Sequence, residues 1–315
     1  RLGMDPASGY DAKMINAGNI QNEGIEFMVT ADIIRSEGLK WNAQLNLSHN
    51  ENRIIKLYDG GGIESPVTEY NLGTYDNLKI LAREGGKYGE IWGSSYKRVE
   101  DKTSDLYGKI ITDENGLPIA GDEKKLGDQQ PDLLAGLTNS FSFAGFDLSF
   151  LIDARFGGKM FSGTNHALQA GGAAAATVVN GARDKFVVDG AVESEVAGKT
   201  VYTKNTVEVT PQDYWGAIVG RSGNLGINEA NIYDATSVRL RNIALSYTLP
   251  KSLLKNTPIT KAKLGISCNN VWMIKSYMNG IDPESVFATG SNATGYEFAS
   301  SPTTRSFLFN ITLGF

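Results

Sequence analysis

The chain has 315 residues, a formal net charge of −5 and no basic excess, so it lacks the positive face that a nucleic-acid binder needs. A single cysteine, Cys268, excludes an internal disulfide framework and any C-x-x-C metal or redox motif. No run of 18 apolar residues occurs, so no transmembrane helix is expected; a membrane barrel stays open, because its strands alternate and never accumulate such a run.

The first residues, RLGMDPASGY, carry neither an initiator Met nor the apolar core of a signal peptide, so the chain reads as a piece of something longer. The first strand is expected over 23–35, where Ile25, Phe27, Val29, Ala31 and Ile33 share one face and Glu26, Thr30 and Asp32 the other. A tight turn leads to 41–50, in which Trp41, Ala43, Leu45 and Leu47 oppose Asn42, Gln44, Asn46 and Ser48. Two weaker strands are expected at 77–84 and 88–98, and the polar stretch up to about 130 reads as turns.

Residues 134–157 form a hairpin turning near Ala144-Gly145, with Phe146, Leu148, Phe150, Ile152, Ala154 and Phe156 on one face of its second arm. From 158 to 232 no strong period survives, although GGAAAAT suggests a short helix. Strands resume at 238–250, with Ile243, Leu245, Tyr247 and Leu249 on the apolar face, and at 261–272, with Ala262, Leu264, Ile266 and Cys268. The chain closes on 305–315, which places Phe307, Phe309, Ile311, Leu313 and Phe315 on one side.

The connections between these nine strands alternate short and long, as in an antiparallel up-and-down transmembrane β-barrel, whose turns are short on one side and loops long on the other. By parity the last strand runs inwards, leaving Phe315 at the short-turn rim, with Phe307, Phe309, Ile311 and Leu313 facing lipid. Arg239 and Arg241 share parity with Ile243 and Leu245, so they are expected on the lipid side at the outer rim. There their cost falls well below the about 2–4 kcal/mol of a mid-membrane position. Nine strands is an odd number, so the expected fold is the C-terminal portion of a larger barrel. A β-sandwich also alternates, but its strands are usually about 5–6 residues, shorter than several here.

Six collinear stretches resemble the C-terminal region of SusC/RagA-type TonB-dependent outer-membrane transporters. They are NAGNIQNEGIEF (16–27), WNAQLNLSHNENRI (41–54), GDQQPDLLAGLTNSFSFAGFDLSFLIDARFGGKMF (127–161), YDATSVRLRNIALSYTLPKSLL (233–254), NNVWMIKSYMNGIDPES (269–285) and PTTRSFLFNITLGF (302–315). The resemblance implies a 22-stranded barrel in a bacterial outer membrane, an N-terminal plug and extension lying outside residues 1–315, and a SusD-like lipoprotein lid. It also implies import of oligosaccharides or oligopeptides powered by the TonB complex, with no cofactor and no catalytic step. A terminal aromatic such as Phe315 resembles the signal read by the barrel assembly machinery.

Candidate site residues are weighed against plainer roles. His49 and His166 are far apart and lack acidic partners at metal-ligand spacing, so surface or lumen positions are expected rather than a zinc site. Asp113, Asn115 and Gly116 suggest a turn rather than a calcium loop. Asp147, Asp153 and Arg155 share the lumen-facing side of one strand, and solvation or cross-lumen pairing is expected of them rather than catalysis. Tyr214 and Trp215 in the longest loop, and Tyr296 and Phe298 in the last, are candidates for substrate or lid contact, with loop packing or lid contact ranked above direct ligand contact. Trp41, Trp272 and Tyr247 fit an aromatic girdle at the membrane interface. The rival functions are a soluble all-β glycan-binding or hydrolytic domain and a passive porin.

Overall fold

A computed structural model describes residues 2–3, 5–13, 18–58, 67–220 and 224–315. Asn16 and Ala17 of the first family-like stretch lie outside them. Among the described residues, seven antiparallel strands form one wall: β1 (Asn19–Arg35), β2 (Leu39–Lys56), β3 (Leu133–Phe143), β4 (Phe146–Phe156), β5 (Ser237–Thr248), β6 (Lys261–Ser276) and β7 (Ser306–Gly314). Each pairs with its neighbours in chain order, giving an up-and-down meander with β1 and β7 at the edges.

The register explains the alternation in the sequence. Apolar residues meet across strands in continuous rows: Val29, Leu45, Leu137 and Ile152 form one, and Phe150, Ile243, Cys268 and Phe307 another. A third row runs Phe141, Leu148, Leu245, Ile266 and Phe309. These rows face outward, and Ile25 and Phe309 are 74% and 80% exposed. An apolar surface this continuous would be an aggregation hazard in water, whereas hydrocarbon is its natural solvent. The opposite face carries Ser142, Asp147 and Ser246 in one row and Thr138, Leu151, Asn242 and Asn269 in another.

Short turns close one end of the wall. At Ala144 and Gly145 both residues take positive φ, 50° and 86°, the geometry of a two-residue hairpin turn whose twist matches its strands. Aromatic residues gather at this end. Trp41 stacks on Phe141 at 5.4 Å and Phe146 lies 4.4 Å from Tyr247, as a girdle requires. The Trp41 indole donates to Asn139 Oδ1 at 3.0 Å, which satisfies an amide that would otherwise sit unpaired on the apolar face.

Three long connections (57–132, 157–236 and 277–305) emerge at the other end and pack into one layer. Two of the nine expected strands belong there rather than in the wall. Leu78–Arg83 and Tyr88–Tyr96 pair with Glu69–Tyr75 and Ala120–Asp128 in a separate four-stranded sheet, and β2 pairs directly with β3. Leu78, Ile80, Leu81 and Ala82 are all buried, so this strand is covered on both faces and its apparent alternation is not that of a membrane strand. The short–long order of connections survives with seven strands.

The polar stretch before 130 therefore contains two strands, Ile110–Thr112 and Ala120–Asp128; GGAAAAT (171–177) holds only a 3-10 turn at Ala175–Thr177, and the helix α1 (Gly163–Ala170) precedes it. A second helix, α2 (Pro211–Val219), and a one-turn helix, α3 (Lys251–Leu254), follow. Leu78, Ile80, Ile91, Phe161, Ala293 and Tyr296 form a core to which all three long connections contribute. A second cluster joins Val99, Ile111 and Ala191, and a third joins Met160, Ala235 and Met278. Each large buried side chain contributes about 1.5–3 kcal/mol relative to exposure, so the layer holds itself together by ordinary core packing.

Candidate functional site

The loop layer meets the wall at a β-bulge. Leu151 pairs with Asn242 and Ile152 with Leu240, so Arg241 is an extra residue in β5. One extra residue reverses which face the rest of the strand presents. Val238 and Leu240 therefore join the outward face, and Arg239, opposite Asp153, turns inward. The expectation that Arg239 and Arg241 sit on the lipid side fails for this reason: both lie on the polar face, at the long-loop end of their strand.

There the two arginines hold the last long connection. Arg239 pairs with Asp282 at 2.6 Å, with side chains only 5% and 9% exposed. It also donates to Thr303 Oγ1 at 2.5 Å and lies 3.6 Å from Glu284. Thr303 in turn donates to Asp282 Oδ2 at 2.7 Å. Arg241 pairs with both Asp153 and Glu284 and donates to Asn270 Oδ1 at 3.2 Å. Burial works against ionising the Asp282 carboxyl, but hydrogen bonds from Thr303 and Arg239 outweigh it and hold the group below the usual carboxylate range. For Glu284 the bond from Arg241 is the largest influence, with the same result.

The other charges on this face are paired or hydrogen-bonded. Asp147 accepts from Lys263 at 2.8 Å and from Ser142 at 2.7 Å, and Asp153 meets Arg241. Arg155 is held by the Gln129 carbonyl at 2.6 Å.

A cleft of about 810 Å³ opens within the loop layer, between the C-terminal end of α1 and the start of α2. Trp215, Arg183, Asp213, Gln212, Gln169 and Leu117 line it. The local sequence builds it directly. Thr210 caps α2 by accepting from the Asp213 amide at 3.1 Å, while its hydroxyl donates to Asp213 Oδ2 at 2.6 Å. Pro211 occupies the first turn, where no amide hydrogen is needed. The Trp215 indole donates to the Ala176 carbonyl at 3.3 Å, and its ring sits edge-on to Tyr214 at 5.2 Å, so its orientation is fixed in advance. Arg183 donates to the Gly172 carbonyl at 2.7 Å. A fixed aromatic face beside amide, guanidinium and carboxylate groups can stack on a ring and bond its polar edge.

The four candidate aromatics thus separate. Trp215 lines the cleft, and Tyr214 packs behind it against Phe186 at 5.1 Å. Tyr296 is a core residue stacked on Tyr75 at 3.9 Å; burial, with Glu297 and Tyr75 beside it, pushes its hydroxyl up to about 12. Phe298 is partly exposed and packs against Phe287 at 6.2 Å. Gln169, Arg183, Gln212 and Asp213 escaped sequence reading, because no local motif marks residues that meet only when α1 and α2 pack.

The histidines are ordinary. His49 Nδ1 lies 2.6 Å from the Asp132 carbonyl and His166 Nε2 lies 2.8 Å from that of Val219. Asp113 accepts from the Asn115 and Leu117 amides, which is a turn. Among the described residues, no group of three or more metal-ligating side chains is present, and no helix is long and apolar enough to cross a membrane.

No family model matches the chain. Among curated proteins, it is similar to TonB-dependent receptor P3 of Formosa agariphila, 26% identical over 330 residues that cover 98% of this chain and 30% of the relative. It is also similar to TonB-dependent receptor SusC of Bacteroides thetaiotaomicron, 24% identical over 316 residues that cover 98% of this chain and 28% of the relative. A solved structure of the RagAB peptide transporter matches with a TM-score of 0.63 at 17% identity, covering 99% of this chain and 31% of that one. The chain spans about three tenths of the length of the curated relatives it matches. These relatives are named as receptors and transporters rather than as enzymes.

Proposed function

We propose that this chain, whose sequence and fold are of the SusC/RagA TonB-dependent receptor type, forms part of the wall and surface loops of an outer-membrane importer. The observation that carries the proposal is the wall itself. Seven meandering strands present predominantly apolar rows outward and a hydrogen-bonded polar face inward, with every long connection packed at one end. Residues 1–315 are read as the C-terminal part of the barrel, with the plug and N-terminal extension in sequence outside this chain.

On this reading the long-loop end faces the cell exterior and meets a SusD-like lipoprotein lid. The short-turn end faces the periplasm, and TonB acts through the plug rather than through these strands. The cargo is an oligosaccharide or an oligopeptide, with Trp215 and its cleft as one contact among the loops. The rigid core shared by the three connections supports a loop layer that serves as a fixed platform, with motion left to the lid and plug. Phe315 is the group offered to the barrel assembly machinery.

The test uses the whole transporter in its own cells. Uptake of labelled oligosaccharides and oligopeptides should disappear when its gene is deleted and when TonB is inactivated, and a surface lipoprotein should co-purify in detergent. Uptake that persists without TonB would point to a passive porin. A protein that stays monodisperse without detergent would point to a soluble domain.

A further inference from the structure

The short-turn end has a charge that the chain as a whole does not. Across 34–40, 143–147, 248–263 and 313–315 there are six basic residues, Arg35, Lys40, Lys251, Lys255, Lys261 and Lys263, against Glu37 and Asp147, in a chain of net charge −5. Lys263 is neutralised by Asp147 at 2.8 Å. Lys251 and Lys255 are exposed, and among the described residues neither meets an acidic group.

Both belong to the connection between β5 and β6, which is far longer than the other two turns at this end. Instead of a tight turn, Pro250 starts the single helical turn α3. At 100° per residue, Lys251 and Lys255 fall within about 40° of each other, and Leu253 falls on the opposite side. Leu253 is 66% exposed, and no burial within the described chain accounts for it. The segment starts beside the aromatic girdle: Leu249 donates its amide to the Ala262 carbonyl at 3.0 Å, two residues beyond Tyr247.

We propose that this turn is a phospholipid-binding element, with Leu253 entering the edge of the hydrocarbon and Lys251 and Lys255 holding anionic phosphate headgroups of the leaflet at the short-turn end. Leu253 is exposed at the same end as the aromatic girdle, and the lysines beside it complement a negatively charged surface. Each lysine near an anionic surface strengthens binding by about fivefold, so the pair supplies up to about 25-fold preference over a zwitterionic lipid at low salt. The inference rests on the membrane-barrel reading above.

The experiment places an NBD fluorophore at Ser252→Cys in the complete protein, reconstituted in phosphatidylcholine vesicles containing 30% phosphatidylglycerol. Cys268, the one cysteine of residues 1–315, is buried, and the protein without Ser252→Cys serves as the control for background labelling. Quenching by brominated phosphatidylglycerol is compared with quenching by brominated phosphatidylcholine. The expected result is about fivefold to 25-fold enrichment of phosphatidylglycerol around the probe at low salt, lost to near parity in Lys251→Gln/Lys255→Gln and unchanged in Lys102→Gln, which lies in the loop layer. Equal quenching by both lipids, or enrichment indifferent to the double substitution, overturns the proposal. Heat-modifiable migration confirms that each variant is a folded barrel. A protein that enters no vesicle at all, and needs no detergent, instead sinks the barrel reading on which the proposal stands.

Discussion

Replacing Asp282 by alanine tests the join between loop and wall most severely. The carboxylate is nearly enclosed, pairs with Arg239 at 2.6 Å, and accepts from the Thr303 hydroxyl and from the Thr303 and Glu284 amides. Removing one member of a buried pair costs about 3–5 kcal/mol, chiefly because the other charge is left without its partner. Arg239 would retain Glu284, now 3.6 Å away and more exposed, so the lower end of that range applies. About 3 kcal/mol corresponds to opening of residues 277–305 becoming more frequent by on the order of a hundredfold. Hydrogen exchange of the reconstituted protein reads this at the Phe287 amide, which donates to Tyr296, and at Ile281, which donates to Met278. Protection at Leu245 and Ile266, deep in the wall, should not change. A difference under threefold at Phe287 and Ile281 would refute the claim that this cluster holds the loop.

Acid should loosen the same segment. Asp282 and Glu284 have folded pKa values below their ordinary ones, so their contribution is complete above the unfolded carboxylate range near 4 and is lost as pH falls through the lowered values. Exchange at Phe287 should therefore stay flat, after correction for intrinsic rates, from pH 7 to about 5, and rise below about 4; a rise beginning near pH 6 would contradict this. Trp215→Ala should weaken binding of a transported oligosaccharide or peptide about threefold to tenfold by calorimetry, from the loss of a stacking face worth about 0.5–1.5 kcal/mol, with the folded layer intact. Tyr296→Ala should instead destabilise the layer by about 3–5 kcal/mol in denaturant titrations, because it removes a core side chain. Equal effects of these two substitutions on stability would dissolve the distinction between cleft and core. Deletion of Phe315 should lower the yield of heat-modifiable protein in the outer membrane while leaving ligand affinity of the assembled fraction unchanged. Normal yield would remove the assembly role.

The wall was legible from sequence because its two faces meet different surroundings along every strand. Phe307, Phe309, Ile311 and Leu313 announce themselves by spacing alone, and cross-strand pairing with Cys268, Ile266, Leu264 and Ala262 confirms their shared face. Spacing misleads where one residue breaks the count. The extra Arg241 in β5 turns Arg239 from the lipid side to a buried pair with Asp282, and bulges have no dependable sequence mark. Spacing misleads again at Leu78–Arg83, where burial on both faces imitates alternation over six residues. The loop layer was least legible, since Tyr75, Phe161 and Tyr296 come from three different connections and their stack exists only after folding. The cleft around Trp215 inherits that opacity: its aromatic was visible in the sequence, while the Arg183 and Gln169 beside it were not.

The central claim is that one face of this wall meets hydrocarbon and the other meets polar surroundings. Spin labels placed singly at residues 306–314 of the reconstituted protein test it most directly, through their accessibility to oxygen and to a water-soluble nickel chelate. The account predicts a period of two, with 307, 309, 311 and 313 high for oxygen and low for nickel, and 308, 310 and 312 lower for oxygen. Uniform accessibility along the strand, or oxygen maxima on the even positions, would contradict it.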